Sequence, residues 1–236
     1  YERPYFEKRS KMTAAALALL SGQDDYLPAL ADYVWDVCEE TTWVLPAHEN
    51  VAIDLFAAGT GYGLAEIITA LGDRLPDEIV DRVRAEVEGR ILAPYLADHA
   101  EIWWYAGHNN WNGVCNGAIG ATFLLLEQDV ERLAAALEVV LAGLAVFVET
   151  AFEAEGSSTE GVSYWQYGLS HVICFAEMLR ARTQGAIDLL ALPRFQGIAA
   201  YPAQMQLSPG HFANFSDCEE RVAFFPGLIA RLSQRT

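Results

Sequence analysis

Residues 111–127, WNGVCNGAIGATFLLLE, are followed after one residue by residues 129–153, DVERLAAALEVVLAGLAVFVETAFE. The first stretch mixes glycine, alanine, asparagine and large apolar residues, with no charged side chain before Glu127. A helix that is apolar around its whole circumference must be covered on every side. The second stretch spaces Glu131, Arg132, Glu138 and Glu149 among leucines, valines and alanines, the pattern of a helix with one wet face. Asp129 stands where it can cap that second helix. A covered helix beside a half-covered one suits an architecture of two helical layers.

The same contrast extends along the chain. Helical periodicity predicts helices over 8–21, 25–40, 51–72, 77–97, 111–127, 129–153, 163–183, 186–199 and 219–233. Those at 51–72, 111–127 and 163–183 are rich in Gly, Ala and aromatics; those at 77–97 and 129–153 carry acids and arginines on one face. The covered helices recur roughly every 50 to 60 residues, without an evident sequence repeat. Pro76-Asp77-Glu78 places acids in a first turn, and Gly-containing breaks fall at 21–23, 72–74 and 155–158. Period-two strand runs are nearly absent. The expected fold class is all-α, an incomplete α/α toroid of helical hairpins spanning residues 1–236 as one domain. A generic helical bundle is the simpler alternative.

In a toroid the segments entering the inner helices converge at one end, and these segments have an unusual composition. Residues 103–112 read WWYAGHNNWN: three tryptophans, a tyrosine, a histidine and three asparagines, with no acid or strong base. A core disfavours so many amides, each of which needs a partner once buried. A solvated loop disfavours three tryptophans. Aromatic plates beside neutral amides suit a polar ring-shaped ligand such as a sugar. A second cluster, Glu160 to His171 (EGVSYWQYGLSH), precedes and enters the helix at 163. Thr42 to Asn50 enters the helix at 51 in the same way, and Ser208 to Asp217 precedes the last helix. All four segments are expected to face one cleft.

Composition narrows the partners. The 236 residues carry 32 acids against 15 bases, a net charge of −17, with 53% hydrophobic residues. That size and apolar content sustain a large core and exclude global disorder. The charge argues against nucleic acid and weighs against polyanionic substrates such as heavily sulfated glycans. The longest apolar stretch, Leu133 to Val148, is broken by Glu138 and reads as a buried helix, so no membrane partner is expected. Cys38, Cys115, Cys174 and Cys218 have no CxxC spacing and read as buried free thiols. No HExxH, EF-hand or P-loop pattern appears, and neither metal nor cofactor is expected. Gly59-Thr60-Gly61-Tyr62-Gly63 lacks the preceding strand and following lysine of a phosphate loop and reads as a close-packing helix segment. The chain begins at Tyr1 with no signal-peptide pattern, so a processed or excised piece is expected, cytoplasmic or periplasmic.

Five stretches carry a resemblance: Trp43-Val44-Leu45-Pro46-Ala47-His48, Ile53 to Ala58, Asn109-Asn110-Trp111, Glu160 to Gly168, and Asn214-Phe215-Ser216-Asp217. On these the chain resembles the toroid part of the heparinase II/III-like polysaccharide lyases and their alginate lyase relatives. The resemblance implies β-elimination on a uronate-containing glycan. It further implies an asparagine that helps neutralise the uronate carboxylate, matched by Asn110, and a tyrosine acting as base or acid, matched by Tyr164. Those lyases continue into a large β-sandwich domain, which this chain lacks; it then looks like a fragment of a longer protein. The histidine that some members take from the β domain has no counterpart here, so the fragment alone is expected to be incomplete.

The chemistry sets the roles. Removing the C5 proton of a uronate requires its carboxylate neutralised, so that charge can spread. An amide such as Asn110 can donate to that carboxylate, and a protonated imidazole such as His108 can do more. A phenol beside a cationic or polar partner loses its proton more readily and can return one to the leaving oxygen. Tyr164, Tyr167 and His171, at spacing 0, 3 and 7, share one helical face. The expected catalytic set is Tyr164, Asn110, His108 and Tyr167. The expected substrate-binding set is Trp103, Trp104, Asn109, Trp111, His48, Glu160, Trp165 and His171. Alternatives are a glycoside hydrolase using Glu160 or Asp54, and a carbohydrate-binding fragment without activity.

Overall fold

The computed structural model describes residues 1–236 and is almost entirely helical. The helices are α1 (Glu2–Leu20), α2 (Leu27–Cys38), α3 (Leu55–Leu71), α4 (Asp77–Val87), α5 (Ala93–Asp98), α6 (Asn110–Leu126), α7 (Val130–Thr150), α8 (Val162–Arg182), α9 (Arg194–Met205) and α10 (Pro226–Arg235). A small antiparallel hairpin, β1 (Gln206–Ser208) and β2 (His211–Phe212), lies between α9 and α10. The expected all-α class stands; the hairpin is a short addition that three- and two-residue strands leave no period to detect.

α6 is the centre of the packing. Every residue from Asn112 to Phe123 is buried, as its lack of charge requires. α3 and α8 flank it and α7 covers another side. Gly117 sets the approach to α8: a Cβ there would sit 2.7 Å from the His171 carbonyl carbon, which is backbone and cannot yield. Gly113 and Gly120 admit the rings of Phe147 and Phe175 in the same way. α7 buries only one stripe, including Leu133, Ala136, Val140, Leu144 and Phe147. By length and composition alone, residues Leu55–Arg74 and Val130–Thr150 would each be long and apolar enough to cross a membrane; both helices pack on the core cluster. The 59–63 glycine segment lies inside α3, where a Cβ on Gly61 would meet Ile91 at 3.0 Å.

Several boundaries differ from expectation for local reasons. α1 begins at Glu2 rather than residue 8, anchored by buried Tyr5, whose hydroxyl donates to the Trp43 carbonyl at 2.8 Å. α3 begins at Leu55 rather than 51, because the Asp54 carboxylate accepts from Ala57 N–H at 2.7 Å and caps it there. The expected 77–97 helix is interrupted by a π turn over Glu88–Leu92. α9 begins at Arg194 rather than 186: the chain leaves α8 through Gln184 and Gly185 at positive φ, and Pro193 precedes the new helix. α10 begins at Pro226 rather than 219, with proline in its first turn.

Candidate functional site

The four polar-aromatic segments form one chain of contacts. The imidazole of His48 lies edge-on to Trp111 with centroids 4.8 Å apart, joining the 42–50 segment to the start of α6. Asn110 joins α6 to the start of α8: its backbone N–H and its Nδ2 both donate to the Glu160 carboxylate, at 2.6 and 2.8 Å. Ser163 joins α8 to the residue that directly follows the last segment, its N–H donating to Cys218 Sγ at 3.4 Å. A Cβ on Gly161, which has φ +84°, would sit 2.7 Å from the Cys218 Cβ, so only glycine permits this closure. The amino-terminal ends of α3, α6 and α8 therefore lie together.

On one side of Asn110 is a dyad. Asp54 is fully buried; Oδ1 caps α3, and Oδ2 accepts from Leu45 N–H at 3.0 Å and from His48 Nδ1 at 2.8 Å. Since a carboxylate only accepts, Nδ1 carries the hydrogen, which makes Nε2 the acceptor of the tautomer this contact selects. His48 stacks on Phe56 at 5.9 Å, and Trp111 continues to Trp103, 4.9 Å away and 53% exposed.

Along the first turns of α8 runs an open cleft of about 400 Å³, lined by Ser163, Tyr164, Gln166 and Tyr167 of α8 and by Asp217, Glu219 and Arg221. Burial, then the charges of Asp217 and Glu160, raise the Tyr164 phenol above its ordinary pKa. Burial raises Tyr167 as well, with Asp54 among the contributing charges. Both phenols are therefore proton donors at neutral pH, opposite to the easily ionised phenol expected from the sequence. Burial pushes the His171 imidazole down, and its ring lies edge-on to Tyr167 at 5.8 Å.

Three expected ligand contacts change. Trp104 is fully buried, stacked on Tyr95, with its indole N–H donating to Ile53 O at 2.7 Å. Trp165 is 1% exposed and donates to Ile198 O at 2.8 Å. Both are core, with their polar edges satisfied, and leave the substrate-binding set. Asn109 is the N-cap of α6, its Oδ1 accepting from Trp111 N–H at 3.2 Å. His108 is exposed on the loop and makes no side-chain hydrogen bond. Asn112, outside the expected set, belongs to the fold: its Nδ2 donates to the carbonyls of Tyr105, Gly107 and Gly143 at 2.9, 3.1 and 3.0 Å. Asn116 donates to Asn112 Oδ1 at 2.8 Å and accepts from Tyr95 Oη at 2.6 Å.

Asn110 is 4% exposed, and its Oδ1 is buried without a partner. The Nδ2 group has two hydrogens and Glu160 takes one, so a second donor remains. Arg221 was not among the sequence candidates; the signal for it was the lone base in the acidic run Asp217-Cys218-Glu219-Glu220-Arg221. These features define an all-helical protein with a polar-aromatic site at the shared amino-terminal end of three helices. No protein-family model and no curated protein matches the chain.

Proposed function

We propose that this chain is the toroid part of a polysaccharide lyase that cleaves a uronate-containing glycan by β-elimination. The observation that carries this reading is that the start of α8, which bears Tyr164 and Tyr167, is held to Asn110 of α6 through the Glu160 carboxylate and through Gly168, where a Cβ would lie 3.4 Å from the Asn110 Cβ. The adjacent placement of α3, α6 and α8, with α4 packed against α3 and α7 against α6, supports an incomplete ring of helical hairpins.

In this reading the free Nδ2 hydrogen of Asn110 donates to the uronate carboxylate and lowers the cost of charge at C5. His48 Nε2, with its tautomer set by Asp54, takes the C5 proton. The electron pair becomes the C4–C5 double bond, the C4–O bond breaks, and the phenol of Tyr164 protonates the departing oxygen. Tyr167, deeper on the same face, is the second candidate donor. Trp103 and Trp111 offer ring faces to neighbouring sugars. A hydrolase reading is less well supported, because both Asp54 oxygens are engaged in capping and in holding His48.

The test is ultraviolet absorbance during incubation with a panel of uronate glycans, alongside Tyr164→Phe. Elimination creates an absorbing conjugated double bond; hydrolysis does not. The expected result is a rise for at least one glycan that the variant loses. Binding without any rise across the panel would overturn the lyase reading in favour of a carbohydrate-binding fragment.

A further inference from the structure

We propose that Arg221 is the carboxylate anchor of the Tyr164 cleft, selecting at that position a sugar unit that carries one carboxylate and no sulfate or phosphate. This rests on the elimination reading for its substrate class, but it makes a separate claim about binding.

Arg221 is the one cation among the residues that line the cleft. Its guanidinium has five donors. Only Nε is engaged, donating to His211 Nε2 at 3.0 Å. His211 in turn faces the Pro209 carbonyl through Nδ1 at 3.1 Å, so Nδ1 carries the hydrogen and Nε2 is free to accept. A backbone bridge between His211 and Arg221 fixes the same segment. The two terminal nitrogens pair with no carboxylate, although Asp217, Glu219 and Glu220 are sequence neighbours. In a chain of net charge −17 most arginines, such as Arg9, Arg90, Arg132 and Arg235, sit in close ion pairs; Arg84, Arg182 and Arg221 do not, and of these three only Arg221 lines the cleft.

The arrangement has the chemistry of a planar fork presented for a planar oxyanion. The segment that carries it is tied to α8: Gln166 Oε1 accepts from Phe225 N–H at 2.9 Å, and its Nε2 donates to Ala223 O at 3.3 Å. Arg221 is therefore held against the helix that carries Tyr164 and Tyr167. The charge count chooses among anions. One guanidinium balances one carboxylate, whereas a sulfate-rich or phosphorylated sugar brings further charges that Asp217 and Glu219 on the same rim repel.

Calorimetry with trigalacturonate, triglucuronate and trimannuronate, each beside its methyl ester, tests the anchor. The proteins are the wild type, Arg221→Met, which keeps the apolar stem, and Arg221→Lys, with circular dichroism to establish folding. The expected result is that at least one trisaccharide binds the wild type. Its ester and Arg221→Met would each weaken binding on the order of tenfold to a hundredfold, and Arg221→Lys would restore part of the loss. Equal binding of acid and ester, unchanged affinity in a folded Arg221→Met, or no binding of any of the three acids would each overturn the anchor. The two proposals fail separately. Arg221-dependent binding without unsaturated product removes elimination and keeps the anchor. Unsaturated product with an unchanged KM in Arg221→Met removes the anchor and keeps elimination.

Discussion

Replacing Asn112 by alanine should be among the most costly single changes in the polar part of this molecule. The side chain is fully buried on α6. Its Nδ2 serves three carbonyls, those of Tyr105 and Gly107 in the loop and of Gly143 on α7, and its Oδ1 receives Asn116 Nδ2. Two amide hydrogens make about two bonds' worth of interaction, at about 1 kcal/mol each, and the stranded Asn116 donor adds about 1–3 kcal/mol. The sum is about 4 kcal/mol. For a chain of this size each kcal/mol lowers Tm by about 2–4 °C, so a fall of about 12 °C is expected. Urea unfolding followed by far-ultraviolet circular dichroism measures the free energy, and a thermal melt measures the shift. The double variant Asn112→Ala/Asn116→Ala should lose less than the sum of the singles, by about 0.5–3 kcal/mol, because the first change already strands the second residue. A loss below about 1 kcal/mol with additive singles would refute the reasoning, since water or local relaxation would then replace the network.

Two further outcomes separate neighbours and work out a sign. Trp104→Ala should cost about 3–5 kcal/mol while Trp103→Ala stays within about 0.5 kcal/mol, a contrast readable in melts of the two variants, since one indole is enclosed and the other is 53% exposed. His171 has a folded pKa below the ordinary value of 6.5, so between the two values the unfolded chain binds more protons. Its contribution is therefore full above about pH 6.5 and is lost as pH falls toward the folded value; urea midpoints at pH 7 and 5.5 should drop more steeply for the wild type than for His171→Asn.

The helices were legible because their apolar patterns are long. The charge-free run of α6 announced its burial, and Asp129 announced the start of α7, where its Oδ1 accepts from Glu131 and Arg132 N–H. What the pattern could not give was the exact start of α3, α9 and α10, each set by one residue: Asp54, Pro193 and Pro226. The site was legible as segments rather than as atoms. Composition marked residues 103–112 as neither core nor loop, yet it could not assign individual members. Trp103 and Trp104 are adjacent in sequence and opposite in fate, and Asn109, Asn110 and Asn112 became a cap, a partner of Glu160 and a structural strut. Such assignments depend on which direction a side chain leaves the backbone, and that is decided by tertiary packing. The Asp54–His48 dyad and Arg221 depend on contacts across loops, which spacing along one chain does not encode.

The π turn at Glu88–Leu92 gives the molecule a register mark. A π turn accommodates one residue more than an α-helix of the same rise, which rotates everything beyond it by about 100°. Upstream, Val83 and Val87 face the core; downstream, Ile91, Leu92 and Tyr95 do so too. Val83, Val87, Ile91 and Tyr95 follow at four-residue spacing, which in a straight α-helix drifts by about 40° per step; the wider turn offsets that drift before Tyr95, whose hydroxyl reaches Asn116. The length of this segment is therefore part of its information. Removing one residue there, even a glycine as inconspicuous as Gly89, would turn Tyr95 away from the asparagine strut, so the chain tolerates substitution at this point far better than a change in count.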